Sequence, residues 1–275
     1  MAINYATKYA SKVAERFTIG SLTNAGAGND YSFVGAKTIK VTSVNTVELT
    51  DFNREASSNR FGSVTNLGDT VQEMMMSQDK AFAFAIDAGD NSDQAIDKAA
   101  GKALRRQIDE VVIPTIDAYR FEKWADGAGV THTPTATLTK NNILGEIIEL
   151  GGLMSNGLVP KTGRILYVPT ATYKLLVQAD AVVNLEKVGT AAVVNGSVGM
   201  IDGNHVVPVP DGWFPEGIAA IIKHKSATVD PVKLQNYHIR KDAQGFDGPV
   251  VEGRIYFDSF VLDAKAEGVG KLIKK

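Results

Sequence analysis

The chain has 275 residues, is 44% hydrophobic and 22% charged, carries a formal net charge of −2, and contains no cysteine. That length buries a sizeable core, in two lobes rather than one; the missing cysteine excludes disulfides, thiolate metal sites and cysteine nucleophiles. A slight acidic excess argues against tight nucleic-acid binding, which takes clustered Lys and Arg, though a wall that tolerates DNA beside it fits.

No apolar run approaches the roughly 20 residues a membrane helix needs. Asn195-Gly-Ser197 has no export signal that would make it a glycosylation acceptor. Residues 1–30 read as an N-terminal arm, amphipathic around Lys8, Lys12 and Arg16. It ends in Asn24-Ala-Gly-Ala-Gly-Asn-Asp30, too poor in apolar side chains to pack alone and expected to order on contact. Thr38–Val44 is a β-rich run and Val71–Ile86 a second, with a polar segment from Asp51 to Asp69 between them. Together they predict a long two-stranded arm ending near Ile86. Alternation puts Ile39 and Val41 on one face and groups Phe82, Phe84 and Ile86 on a face of the return strand. Two strands cannot bury both faces, so a lone hairpin is marginal in water. Such an arm finishes its fold on a neighbour, which points to assembly rather than chemistry. Ile39, Val41, Met75, Phe82 and Phe84 are the expected contacts between copies. Met74-Met75-Met76 reads equally as an adaptable contact patch and as strand positions facing a core.

Asp90-Asn-Ser-Asp93 offers side-chain oxygens to the first turn of a helix. Helical spacing then runs through Ile96, Ala100, Ala103, Ile108, Val111, Ile116 and Tyr119 to Trp124. A helix of about 30 residues spans roughly 45 Å. Pro114 should kink it, Gly101 weakens it, and Asp126-Gly127 ends it. Its expected anchors are Ile96, Ala103, Leu104 and Trp124.

Thr139 is the expected cap of a second helix, with Ile143, Ile147, Leu150 and Met154 as its apolar stripe before Gly157. Arg164–Val168 reads as a strand, Tyr173–Ala179 as a short helix, and Asp180–Gly196 as a loop. Val198–Ile201 and His205–Val209 flank Asp202-Gly203, a hairpin signal because that pair accepts positive φ. Ile218–Ile222 is a buried strand. Lys233–Arg240 and Val250–Leu262 make two long strands around Asp247-Gly248. Strands and helices cluster instead of alternating strictly, which favours an α+β class.

Nothing here reads as a catalytic, cofactor or metal site. His132, His205, His224 and His238 lack ligand spacing. Gly268-Val-Gly-Lys271 resembles a phosphate loop only faintly, with Lys265 where its first Gly belongs and Leu272 where Ser or Thr should hold magnesium. Gly26-Ala-Gly28 follows no strand, no Gly-x-Ser-x-Gly elbow occurs, and Asp87, Asp90 and Asp93 repeat every third residue, which suits helix capping better than a calcium loop.

Four stretches carry a resemblance to a known family. They are Arg164-Ile-Leu-Tyr-Val-Pro169 with Tyr173 and Leu176, Gly199–Pro210, Ala219–Ala227, and Val251-Glu-Gly-Arg-Ile-Tyr-Phe-Asp-Ser-Phe260. With the order of elements around them, the chain resembles the major capsid proteins of tailed double-stranded DNA bacteriophages, the Hong Kong 97-type shell fold. The resemblance implies an α+β fold of five parts: N-terminal arm (1–30), extended hairpin loop and return strand (31–86), spine helix with part of the peripheral lobe (87–138), axial lobe (139–222), and peripheral-lobe C-terminal strands (223–275).

It further implies a non-enzymatic structural subunit that assembles with itself into pentamers and hexamers of an icosahedral head. The expected partners are a portal protein, a decoration protein and packaged double-stranded DNA held without sequence specificity, with no membrane. Assembly would take place in the bacterial host cytoplasm. Some members carry a long charged helical segment at the N-terminus as a built-in scaffold; this chain shows none, which implies a separate scaffolding protein or assembly without one. Some join an arm lysine to an asparagine of the next subunit. Lys37 and Lys40 invite that comparison, but neither the asparagine nor the proton-accepting acid is identifiable, and lysines also protect an edge strand. The rival readings are an encapsulin-like compartment shell and a soluble enzyme; tail-tube proteins fit less well because they lack the long helix.

Overall fold

Arg164–Pro169 and Ile218–His224 are apolar at most positions, and a strand apolar on both faces must lie inside a sheet covered on both sides. The structure, a computed structural model, describes residues 19–28, 31, 37–55, 57–64, 66–86, 100–179, 199–240, 245 and 248–275. In it Arg164–Pro169 (β5) is buried at all six positions and pairs antiparallel with Ile218–His224 (β8). These two are the centre of a six-stranded mixed sheet.

On one side β5 pairs parallel with Asn204–Val209 (β7), which turns back through Asp202-Gly203 to Met200–Ile201 (β6). Asp202 at φ 47° and Gly203 at φ 78° supply the positive φ that this tight turn needs. On the other side β8 pairs with Val269–Ile273 (β13), and β13 pairs parallel with the edge strand Val130–His132 (β4).

Alternation divides the apolar side chains between two faces. Leu166, Val168, Ala220, Ile222 and Leu272 meet Ile143, Ile147, Leu150 and Met154 of the helix Ile143–Asn156. Ile165, Tyr167, Ile221 and Val269 meet Phe121 and Trp124 on the opposite face. Gly270 is forced by packing: a Cβ there would lie 2.9 Å from the Met154 sulfur and 3.0 Å from a Leu150 methyl.

Phe121 and Trp124 belong to the long helix. Its described part is one α-helix, Ala100–Gln107 (α1), a π turn, Ile108–Val112, and a second α-helix, Ile113–Asp126 (α2). A proline inside a helix has no N–H to donate and crowds the carbonyl four residues back. The wide turn sits directly before Pro114, where it relieves that conflict locally. Val112, Ile116 and Tyr119 cover a three-stranded antiparallel sheet made of Val232–Arg240 (β10), Val250–Phe257 (β11) and Gln78–Ala85 (β3). Among the expected anchors, Trp124 is fully buried, Ala103 and Leu104 are half-buried, and Ile96 lies outside the described residues. The Asp90–Asp93 helix start, the Asp180–Gly196 loop and Lys8, Lys12 and Arg16 also fall outside them.

Three expectations change. The run Val71–Ile86 is two strands, Asp69–Met75 (β2) and β3, broken at Met76-Ser77. The run Val250–Leu262 is likewise β11 and Phe260–Val261 (β12), broken at Asp258-Ser259, and β12 pairs antiparallel with Thr228–Val229 (β9). Both breaks meet at one carboxylate: Asp258 accepts from the Ser77 backbone N–H at 2.6 Å, the Ser77 hydroxyl at 3.0 Å and the Tyr119 hydroxyl at 2.7 Å. Burial, then the bond to Asp258, pushes the Tyr119 phenol up to about 12. Polar side chains at 77 and 258 therefore end strands that hydrophobic alternation alone would continue.

Thr139 does not cap the second helix. That helix begins at Ile143, and the Asn142 side chain accepts from the Thr139 backbone and hydroxyl to close a turn ahead of it. The strand β13 was not expected at all, because Gly268-Val-Gly-Lys271 looks like a loop until Gly270 is seen pressed against the helix.

Candidate functional site

The chain has two unusual regions: an arm that displays apolar side chains, and a polar cluster buried beneath the sheets. The arm is β2 paired antiparallel with Thr38–Val44 (β1), from Thr38 opposite Met75 to Val44 opposite Asp69. Its inner face at the base is anchored. Ile39 and Val41 pack with Met74 and Met76 against Val229, Leu262, Tyr256 and Phe260 of the body. Gln72 adds polar contacts, donating to the Val261 carbonyl at 2.9 Å and to Asp263 at 3.1 Å, and accepting from the Asp263 backbone N–H at 3.0 Å.

Past the base the arm has little to pack on. The strand ladder ends where the Asn45 N–H meets the Gly68 carbonyl. Beyond it the loop is held by its own bonds, Thr50 hydroxyl to Phe61 carbonyl at 2.9 Å and Asn53 N–H to Arg60 carbonyl at 3.0 Å. Phe52 and Phe61 meet edge to face at 5.0 Å. Asn59 at φ 53° and Gly62 at φ 82° make the turn. Leu49 is 102% exposed, Val64 95% and Phe61 83%, with Val44, Val47, Leu67 and Val71 also exposed. Single exposed apolar residues need no explanation, but a run of them along one element is a pattern that calls for one.

The five expected contact residues separate into two groups. Ile39 and Val41 are half-buried at the arm base and Met75, between buried Met74 and Met76, is 55% exposed. Phe82 and Phe84 are not on the arm: they stack at 6.3 Å on β3, within the three-stranded sheet, where Phe82 packs with Val112, Ile116 and Tyr237. Sequence reading missed Leu49, Phe61 and Val64. The signal was there: isolated large apolar residues in a segment otherwise polar, with no strand period to bury them. Lys40 pairs with Glu73 across the hairpin at 3.6 Å.

The buried polar cluster centres on Asp230. Its carboxylate accepts from Trp124 Nε1 at 2.9 Å, Ser259 at 2.5 Å, Thr228 at 2.7 Å, the Gly28 N–H at 3.1 Å and Lys223 at 3.3 Å. Lys223 Nζ also donates to the Gly26 carbonyl and lies 3.6 Å from the centre of the Trp124 ring. Burial works to raise the Asp230 pKa, but Lys223, Arg120 and the two hydroxyls outweigh it and hold the carboxyl below its ordinary value. Burial lowers Lys223 to about 8. Lys223, Asp230, Arg120 and Asp117 each have a hydrogen-bond partner within the protein. Elsewhere, His132 bonds Glu146 and His224 bonds Ser226 and the Thr162 carbonyl. Among the described residues no three His, Asp or Glu gather in a way that could hold a metal, and no helix is long and apolar enough to cross a membrane.

No family model matches the chain, and no curated protein matches it. Solved structures do. One from Mycobacterium phage Che8 superposes with a TM-score of 0.77 at 16% identity, covering 98% of both chains. The capsid structure of cyanophage P-SCSP1u gives a TM-score of 0.74 at 14% identity, covering 99% of this chain and 92% of that one. A chain from the asymmetric unit of the bacteriophage PhiM1 mature capsid gives 0.72 at 12% identity, over 98% and 92%. Likeness over nearly the full length of each chain shows the fold: α+β, of the phage-capsid type that the order of elements implied.

Proposed function

We propose that this protein is the major capsid protein of a tailed phage, the repeating subunit that assembles with itself into pentamers and hexamers of an icosahedral head around double-stranded DNA. The observation that carries the proposal is the arm: a hairpin anchored at its base, with Leu49, Phe61 and Val64 exposed beyond it, on a body with the phage-capsid fold. The solved capsids of the cyanophage and of PhiM1 support the same reading.

In this reading residues 31–86 are the extended loop and its return, and residues 87–138 hold the spine helix. Residues 139–222 form the axial lobe around local five- and six-fold axes, and 223–275 complete the peripheral lobe. The arm of one copy lies across the next, burying its tip, with Met75 and the exposed edges of Ile39 and Val41 beside it and Phe82 and Phe84 on the receiving sheet. Each contact is weak enough to be undone while a shell is still growing, and closure adds the contacts together. The subunit's role is structural and not enzymatic. Its partners are a separate scaffolding protein, a portal protein, a decoration protein and DNA held without sequence readout; it resides in the virion after assembly in the host cytoplasm.

Expression of the chain with and without its neighbouring gene products, followed by sedimentation and electron microscopy, tests this. Closed shells, or pentamers and hexamers, are the expected result. A stable monomer or small oligomer under every condition overturns it, and particles that close alone around a cargo enzyme would replace it with a compartment shell.

A further inference from the structure

The stretch Asn24-Ala-Gly-Ala-Gly28 plays no part in the sheets or in the arm, yet it is seated in a densely hydrogen-bonded slot. Asp117 accepts from the Leu22 N–H at 2.7 Å, the Ser21 hydroxyl at 2.8 Å and the Thr23 hydroxyl at 2.5 Å. Arg120 donates to Thr23 at 2.9 Å and to the Asn24 side chain at 3.0 Å. Lys223 donates to the Gly26 carbonyl, and Asp230 and Gly28 exchange two bonds, Gly28 N–H to carboxylate at 3.1 Å and Asp230 N–H to Gly28 carbonyl at 2.9 Å. The glycines are required by close approach. A Cβ on Gly28 would lie 1.8 Å from the Thr228 carbonyl oxygen, and one on Gly26 would lie 2.3 Å from the Tyr167 hydroxyl.

The seat is almost entirely polar. Of residues 21–28 only Leu22 packs on an apolar cluster, and none is in a strand. With this segment gone part of the slot keeps its partners, Lys223 with Asp230 and Arg120 with the Asp230 carbonyl at 3.3 Å, while Asp117 loses Ser21, Leu22 and Thr23 and passes to water. Undocking therefore exchanges hydrogen bonds for hydrated ones and exposes little apolar surface, which is the condition for local opening well below the cost of global unfolding.

We propose that residues 21–28 are a releasable strap, docking into and lifting out of this slot as one unit while the sheets stay folded. This goes beyond the assembly role and holds for the subunit whether or not it forms shells. Hydrogen exchange on the full-length protein, free or assembled, tests it. The amides of Leu22 and Gly28, bonded to Asp117 and Asp230, should exchange at least about 100-fold faster than those of Ala220–Lys223 in the central sheet. Gly28→Ala should bring residues 21–28 to open-chain rates and leave 220–223 unchanged, and Asp117→Asn should speed Leu22 by about tenfold. Equal protection of strap and sheet in the wild-type protein overturns the proposal. So does a Gly28→Ala protein that loses protection in both places or never folds.

Discussion

The six-stranded sheet and the hairpin arm draw on the same kinds of apolar side chain and put them to opposite uses. In the sheet, Leu166, Val168, Ile222 and Leu272 are covered by one helix and Ile165, Tyr167 and Ile221 by another, so both faces are spent within the subunit. In the arm, Ile39, Val41, Met74 and Met76 secure the base, and Val44, Leu49, Phe61 and Val64 remain in solvent. What separates them is the number of layers, not composition. A two-stranded ribbon with no helix laid on it cannot bury what it carries. Subunit stability and assembly should therefore respond to different residues.

The largest effect on the folded subunit should come from the centre. Asp230→Ala leaves Lys223 buried without its carboxylate and should cost about 3–5 kcal/mol, read as a fall in the midpoint of urea unfolding under conditions where the protein stays dispersed. A change under about 1 kcal/mol would mean that water enters the site freely and that the cluster is not part of the core.

The same cluster predicts a pH dependence. Lys223 holds its proton in the fold only up to about 8, whereas the unfolded chain holds it to its ordinary 10.5. Between those values the unfolded chain binds more protons, so this lysine's contribution to stability rises with pH, and its cost as a buried cation is present in full below 8. Tyr119, pushed up to about 12, acts the other way, but only above its ordinary value of 10. The unfolding free energy of the wild type should thus rise relative to that of Lys223→Met from pH 8 to 10, by about 1.4 kcal/mol per pH unit. Parallel curves would show that Lys223 keeps its proton in the fold as it does in the unfolded chain.

At the arm tip the effects reverse. Leu49→Asp together with Val64→Asp should move subunit stability by no more than about 0.5 kcal/mol, as surface substitutions do, and should abolish shells in sedimentation and electron microscopy. Wild-type shell yields from the double variant would take the tip out of assembly and leave the base and the receiving sheet as the working contacts.

Most of the body was legible because it obeys simple periods. The helix stripe from Ile143 to Met154, the strand Arg164–Pro169, the Asp202-Gly203 turn and the pair of long C-terminal strands all follow from alternation, helical spacing or turn chemistry. What escaped depends on partners distant in sequence. Ser77 and Asp258 are 181 positions apart, and their bond cuts two apparently continuous strands. Asp230 gathers Trp124, Lys223, Gly28 and Ser259 from four separate segments, and no local pattern announces such a meeting. The glycines at 26, 28 and 270 read as loop residues, yet in each case the missing side chain makes room for a neighbour. Phe82 and Phe84 were correctly grouped on one face but given to the arm, because the break at Met76-Ser77 is made by Asp258 and not by the strand's own pattern.

A modest effect on stability is expected at Pro114, and it bears on whether the long helix is only a brace between the two regions or also a moving part. Pro114 opens the second α segment behind the π turn, a position where its fixed φ is helical and its missing N–H costs little. Replacing it mainly frees the unfolded chain, so Pro114→Ala should lose only about 0.4–1 kcal/mol. The alanine, however, can donate to a carbonyl four residues back, which lets a regular ladder run from Ala100 to Asp126 and removes the local reason for a π turn. If precursor shells enlarge as they mature by bending or straightening this helix, the variant should assemble normally and expand at a different rate. Time-resolved scattering from wild-type and variant precursor shells reads that rate directly. Identical kinetics would confine Pro114 to a structural role.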